Sequence, residues 1–313
     1  MAADTRPKIA CFGAAHVDRI ARGLGPITWR SSNPVSITAA HGGVARNIAC
    51  NLAMLGCDVA LASAFGDDAE GRAVLAALEA AGVDISATLR CDNAPTATYT
   101  AVLGPDGDLE IGLADMAIYE ALTPDHCLRV GERMASRPVW LIDANLHSAS
   151  IAALAEAAPG TVYGAAVSPA KAPRLEAAFG QLSGVFANRA ESAALTGRAI
   201  ETPADALAAA EALRGLGAGV AFITLGERGA AVAGDGIVEA IANPPTHLRD
   251  ANGAGDAFAA GALDAIVRGR SLRDVLVHGL ALASLTAEED GPVVTPFDPG
   301  RLAGRVAQIG EAA

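Results

Sequence analysis

The chain has 313 residues, 51% hydrophobic, 19% charged and only 4% aromatic, so a sizeable core must be built mainly from Ala, Val, Leu and Ile. Acidic residues outnumber basic ones 35 to 23, for a net charge of −12 with no basic cluster to offset it. That balance makes the chain a poor candidate for nucleic-acid binding, whereas an anionic small molecule needs only a local positive site. Five cysteines without a CxxC pair argue against a disulfide framework and for the reducing cytoplasm. No apolar run is as long as a membrane span, and the N-terminus has no signal-peptide anatomy.

In chain order, KIACFG (8–13) is a compact strand candidate. Residues 20–40 break the rhythm with Gly, Pro, Ser and Asn around the short alternation PVSITAAH. VARNIACNLAMLG (44–56) has helical spacing and stops at Gly56, and VALASAFG (59–66) is strand-like. DAEGRAVLAALEAAG (68–82) opens with acids and closes at Gly82, the asymmetry expected of a helix. Residues 85–113 break the rhythm again, alternating apolar and polar positions around the turn PDGD. Strand-like runs recur at 138–145, 160–168, 184–188 and 218–226, with helical stretches between. Apolar strands alternating with helices predict a central, mostly parallel sheet covered by helices on both faces. The segments 20–40 and 85–113 predict a small β-sheet lid on what is otherwise one domain, 1–313.

DANGAGDAF (250–258) is a glycine turn at a helix start. It is not a dinucleotide fingerprint, because Phe258 stands where the third glycine belongs. It is not a P-loop either, since the only lysines in the chain are Lys8 and Lys171. The free amides and helix dipole of Gly253-Ala254-Gly255 suit a phosphoryl group, and Asp256 beside them suits proton abstraction from an attacking hydroxyl. The plainer alternative is a turn with Asp256 as an ordinary N-terminal helix acid. In HGGVARNIACNLAMLG (41–56), Gly42 and Gly43 allow close backbone approach to a ligand. Asn47 offers a donor and an acceptor for vicinal hydroxyls, or is simply a polar helix start. No HExxH, G-x-S-x-G or Ser-His-Asp arrangement is visible, so hydrolase readings have no anchor.

Taken together, GGVARNIACNLAMLG…ALASAFGDDAEG and DANGAGDAFAAG resemble the two signatures of the ribokinase-like family of sugar and nucleoside kinases. The resemblance covers nearly the whole chain. It implies that Asp256 is the catalytic base and that Gly253, Ala254 and Gly255 form the anion hole. It further implies that Asp18, Gly42, Gly43 and Asn47 hold the sugar, while Asn188 of NRAE, Thr224 and Gly226 line the ATP site. Glu191 would organise Mg²⁺ through water, and Asp250 would contribute to a K⁺ site. Within the family, SSNP (31–34), ADM (114–116), DAN (143–145) and VSPAK (167–171) resemble pseudouridine kinases, which makes Asn33, Asp115 and Asn145 candidate readers of a nucleobase. As ordinary residues, Asn33 is a turn residue before Pro34, Asp115 a solvated acid and Asn145 a helix cap; Lys171 reads as structural.

The sequence departs from the family pattern at His16, where Asn is common, and at Ala165-Ala166, Phe186-Ala187 and Ala251-Asn252. These departures bear on substrate identity more than on reaction type. The implied activity is phosphorylation of the 5′-hydroxyl of pseudouridine, with another nucleoside or a sugar as the alternative acceptor and a non-catalytic ligand-binding protein as the different-class rival. Alternating apolar lid strands also suggest a homodimer paired through the lid.

Overall fold

Alternate residues of the first strand, β1 (Lys8–Phe12), face opposite sides of the main sheet. Ile9 and Cys11 join one apolar cluster, and Ala10 and Phe12 join the other. A strand buried on both faces reads as a continuous apolar run, which is why KIACF shows no alternation. In the computed structural model, which describes residues 6–312, this sheet has eight strands. The parallel part comprises β1 with β4 (Asp58–Ala62), β9 (Val139–Asp143), β10 (Thr161–Ala165), β11 (Gly184–Asn188) and β12 (Val220–Thr224). The hairpin β13 (Ala230–Gly234) and β14 (Ile237–Ile241) adds two antiparallel strands at one edge. The predicted mostly parallel sheet is therefore present, and the edge hairpin is an addition that its Ala-rich sequence did not announce.

Helices cover both faces. One carries α3 (Pro124–Met134), α4 (Ser148–Ala157), α5 (Arg189–Thr196) and α6 (Pro203–Gly215), packed through Val130, Leu154, Leu195 and Leu213. The other carries α1 (Val44–Met54), α2 (Ala69–Ala80), α7 (Ala254–Val267) and α8 (Leu272–Ala287), packed through Ile48, Leu78, Phe258 and Leu280. A final helix, α9 (Pro299–Ala312), lies against α8. The start of α2 is capped as its sequence predicts: Asp68 accepts from the Gly71 amide at 2.7 Å. None of the described helices is long and apolar enough to cross a membrane.

The small sheet has the order β3-β2-β7-β8, with β2 (His16–Gly23), β3 (Val35–Gly42), β7 (Thr98–Leu103) and β8 (Leu109–Asp115). It begins at His16, directly after the turn that leaves β1, so its first strand carries Asp18. Residues 59–66 are not one strand. The chain breaks at buried Ser63, and β5 (Ala64–Gly66) pairs instead with β6 (Leu89–Cys91) in a separate two-stranded sheet. Most of 85–97 thus lies outside the small sheet. Ile37, Leu109 and Leu113 on that sheet are more than half exposed, at 65%, 58% and 56%.

Candidate active site

Ligands of open α/β sheets bind at the carboxyl ends of the strands, where helix N-termini converge. Here three adjoining cavities, of about 500, 320 and 470 Å³, form a trench along that edge. Asp256 lines the first and second, while Asn188, Thr224, Gly255 and Phe258 line both the second and third. The trench therefore has two outer compartments and a narrow middle one, and Asp256 stands at the boundary with the first.

The first compartment lies beneath the small sheet. Asp18, Gly43, Asn47, Asn145, Lys171 and Asp250 provide its polar lining, and Tyr99, Leu103, Leu109 and Met116 an apolar wall. The Asp18 carboxylate depends on Gly42, because a Cβ there would sit 1.9 Å from Asp18 Oδ2. Gly43 caps α1 with φ 106°, and a Cβ on it would meet the Ala14 carbonyl oxygen at 2.4 Å. His16 Nε2 lies 3.0 Å from Asp18 Oδ1, so the departure at position 16 contacts one of the acid's two oxygens. Lys171 is not remote from this chemistry: its Nζ donates to Asn145 Oδ1 at 2.6 Å inside the same compartment. Burial lowers its affinity for a proton.

Asp256 sits in the first turn of α7, whose N-cap Gly253 has φ 76°. A Cβ on Gly253 would lie 2.2 Å from Pro292 Cβ, so the turn admits only glycine on both counts. The first-turn amides of Gly255 and Asp256 have no carbonyl inside the helix to bond, whereas the Ala254 amide makes a 3.3 Å contact with the Ala251 carbonyl. Asn47 Nδ2 donates to Asp256 Oδ2 at 2.8 Å, joining α1 to α7. Burial raises the Asp256 carboxyl to about 7, with further upward pushes from Asp143, Glu191 and Asp18; the Asn47 hydrogen bond pulls it down.

In the middle compartment Asn188 and Glu191 form a capping box at the start of α5. Asn188 Oδ1 accepts from the Glu191 amide at 2.9 Å, and the Glu191 carboxylate accepts from the Asn188 amide and Nδ2, both at 2.8 Å. The N-x-x-E spacing thus has a structural use, and burial also raises the Glu191 carboxyl. Phe186, Phe222 and Phe258 make the wall apolar, the first two stacked at 4.9 Å. Thr224, Gly226 and Ala254 reach the third compartment.

Two predicted residues stand apart. Asn33 is tied into its own loop, accepting from the Thr28 amide at 2.7 Å and donating to the Thr28 and Ser31 carbonyls. Asp115 is exposed at the end of β8, and it is the next residue, Met116, that enters the compartment. Conversely, DAN holds a further organising residue, Asp143, which its motif alone does not single out. It is fully buried and accepts from the amides of Ala14, Ala45 and Asn145 at 2.9, 3.0 and 2.8 Å. An acid closing the apolar run PVWLI was the available signal. Among the described residues no cluster of three or more His, Cys, Asp or Glu is arranged to hold a metal ion.

Comparison with known proteins bears on this geometry. The chain is 30% identical over 282 residues to the uncharacterized sugar kinase YeiI of Escherichia coli, covering 88% of this chain and 77% of that one. It is 29% identical over 262 residues to the E. coli pseudouridine kinase, covering 81% and 82%. A solved carbohydrate kinase from Agrobacterium tumefaciens is 31% identical with a TM-score of 0.85, covering 97% and 98%. Arabidopsis thaliana ribokinase, solved with ribose and ATP, shares the fold at a TM-score of 0.86 and 22% identity, covering 96% and 99%. The sequence pattern of the pfkB carbohydrate kinases matches residues 6–296, and the chain belongs to that family, whose members phosphorylate an alcohol group of a sugar or nucleoside.

Proposed function

We propose that the protein transfers the γ-phosphoryl group of ATP to the 5′-hydroxyl of a nucleoside, with pseudouridine as the acceptor that the motifs SSNP, ADM, DAN and VSPAK point to. The observation that carries this reading is the Asp256 carboxyl, raised to about 7 and standing where the first compartment meets the middle one. A carboxylate poised near neutrality can take a proton from an acceptor hydroxyl in the first compartment. The hydroxyl oxygen then bonds to the γ-phosphorus as the bond to the bridging oxygen breaks, and ADP departs. The Gly255 and Asp256 amides, at the positive end of α7, stabilise the charge on the transferring group. In this reading Asp18 and Asn47 orient the ribose, and Thr224 and Gly226 line the nucleotide.

The pairing with pseudouridine kinase in the comparisons supports the nucleoside reading, as does the apolar wall of Tyr99, Leu103, Leu109 and Met116, which suits a flat base better than a bare sugar. Asn33 and Asp115 would reach the acceptor only when the small sheet closes over it. A second reading, a sugar or different nucleoside as acceptor, is favoured by the likeness to a sugar kinase and by His16 beside Asp18. Mg²⁺ arriving on the nucleotide would neutralise phosphate charge, and the buried Glu191 carboxylate in the middle compartment is an oxygen donor suited to hold it through water. Asp250, whose Oδ1 accepts from the Asn252 amide at 2.8 Å, is a carboxylate just ahead of the turn that would offer an oxygen to a monovalent cation such as K⁺. Use of ATP and five unpaired cysteines support a cytoplasmic setting.

The test is ADP release from MgATP with pseudouridine, uridine, adenosine, inosine, ribose and fructose 6-phosphate, run beside Asp256→Asn. Preference for pseudouridine, with turnover lowered about 10²- to 10⁴-fold in the variant, is the expected result. Preference for another acceptor leaves the kinase and removes pseudouridine. Silence on every acceptor favours a ligand-binding protein on the same scaffold.

A further inference from the structure

The reading of Asp256 as the base leaves open what aims its hydrogen-bond partner. The Asn47 amide can occupy two orientations related by a half-turn, and only one presents its NH₂ to a carboxylate. On its other side lies Arg46, whose Nη1 donates to Asn47 Oδ1 at 3.0 Å and to the His41 carbonyl at 3.3 Å. A guanidinium has donors and no acceptor, so it can be satisfied only by the amide oxygen. A flipped amide would set NH₂ against guanidinium and oxygen against carboxylate, unfavourable at both ends. Asn47 is buried, at 6% exposure, so water does not readily substitute for either partner. Its backbone is held as well, by its own amide on the Gly43 carbonyl at 2.8 Å and by Asn51 Nδ2 on its carbonyl at 2.9 Å.

We propose that Arg46 is a positioning residue for phosphoryl transfer: it locks the Asn47 amide so that its NH₂ points at Asp256, and thereby sets the orientation and proton affinity of the base. Arg46 lines none of the three cavities, and its hydrogen bond to Asn47 Oδ1 is the contact that links it to Asp256. The ordinary alternative is a helix-start arginine that merely ties α1 to the end of β3 through His41.

The two roles separate in a double-mutant cycle on the full-length enzyme with Arg46→Met, Asn47→Ala and the double variant. Each single variant is expected to lower kcat about 10-fold or more, with the KM for MgATP little changed. In the Asn47→Ala background, Arg46→Met should change kcat less than about 2-fold, because the link it serves is gone. The acid limb of kcat/KM should also move to higher pH in Arg46→Met, since an ionised Asp256 loses its aligned donor. Asp18, Asp143, Glu191, Asp250, His16 and Lys171 surround the site in both proteins, so the displacement of the limb reports on Arg46. Additive effects with an unmoved limb would overturn the proposal, as would near-wild-type kcat in Arg46→Met. Arg46→Lys, which keeps charge but loses the planar fork, is read if Arg46→Met does not fold: partial loss with a shifted limb supports the proposal, and wild-type behaviour overturns it. Asp256→Asn run alongside distinguishes the levels. If that variant is inactive and Arg46→Met is not, only the positioning role fails; if it retains full activity, the base itself is wrong and the proposal falls with it.

Discussion

A single half-buried carboxyl, that of Asp256, sets the pH behaviour to be expected. With Asp256 raised to about 7, the free enzyme holds its base half-protonated near neutrality, so kcat/KM should rise with pH through about 7 and level off above it. Linkage has the opposite sign for stability. The folded state binds a proton between the ordinary carboxyl value of 3.8 and about 7 that the unfolded state has lost. Stability therefore falls as pH rises through that window, and the burden is complete above it. Asp256→Asn should consequently melt higher than wild type at pH 8, by roughly 2–4 °C per kcal/mol relieved, with the gap closing near pH 4. Melting curves at the two pH values check this, and a variant that melts lower at pH 8 would contradict the strained-acid picture. Gly42 makes a second point at this scale. Its backbone tolerates alanine, but the added methyl would displace Asp18, so Gly42→Ala should raise the acceptor KM about 10-fold or more with MgATP binding intact, as read by initial rates and ATP titration.

Between elements, buried polar residues add specific ties to the apolar packing that joins helices to sheet. Asp143 at the end of β9 gathers the amides of Ala14, Ala45 and Asn145, drawing the turn after β1 and the start of α1 onto the sheet edge. Asp143→Ala would leave three buried donors unsatisfied at about 1–3 kcal/mol each, so a loss of roughly 3 kcal/mol or more is expected in denaturant titration. Asn51 works in the same way from α1. It is fully buried and donates to the Pro292 carbonyl at 2.9 Å, while Pro292 packs on Gly253. Strand and helix identities were legible because apolar runs, acidic helix starts and glycine stops act locally. The break at Ser63 and the pairing of β5 with β6 were not, since they depend on which strands lie side by side.

Across the whole molecule, the small sheet projects from the trench with Ile37 and Leu113 largely exposed. If it pairs with a second copy, Ile37→Lys with Leu113→Lys should halve the mass found by sedimentation; a wild-type chain that sediments as a monomer would remove the dimer. At this scale the division between sequence and structure becomes clear. By itself the sequence determined the α/β class, the glycine turn ahead of Asp256 and the paired glycines ahead of Asn47, because each follows from local backbone chemistry. Only the tertiary structure decided that Asn47 reaches Asp256 across 209 residues, that Lys171 enters the first compartment and that Asn33 stays in its own loop. Those outcomes turn on distances between segments remote in the chain, and the crossover connections of a parallel sheet set such distances only once every strand has found its neighbour.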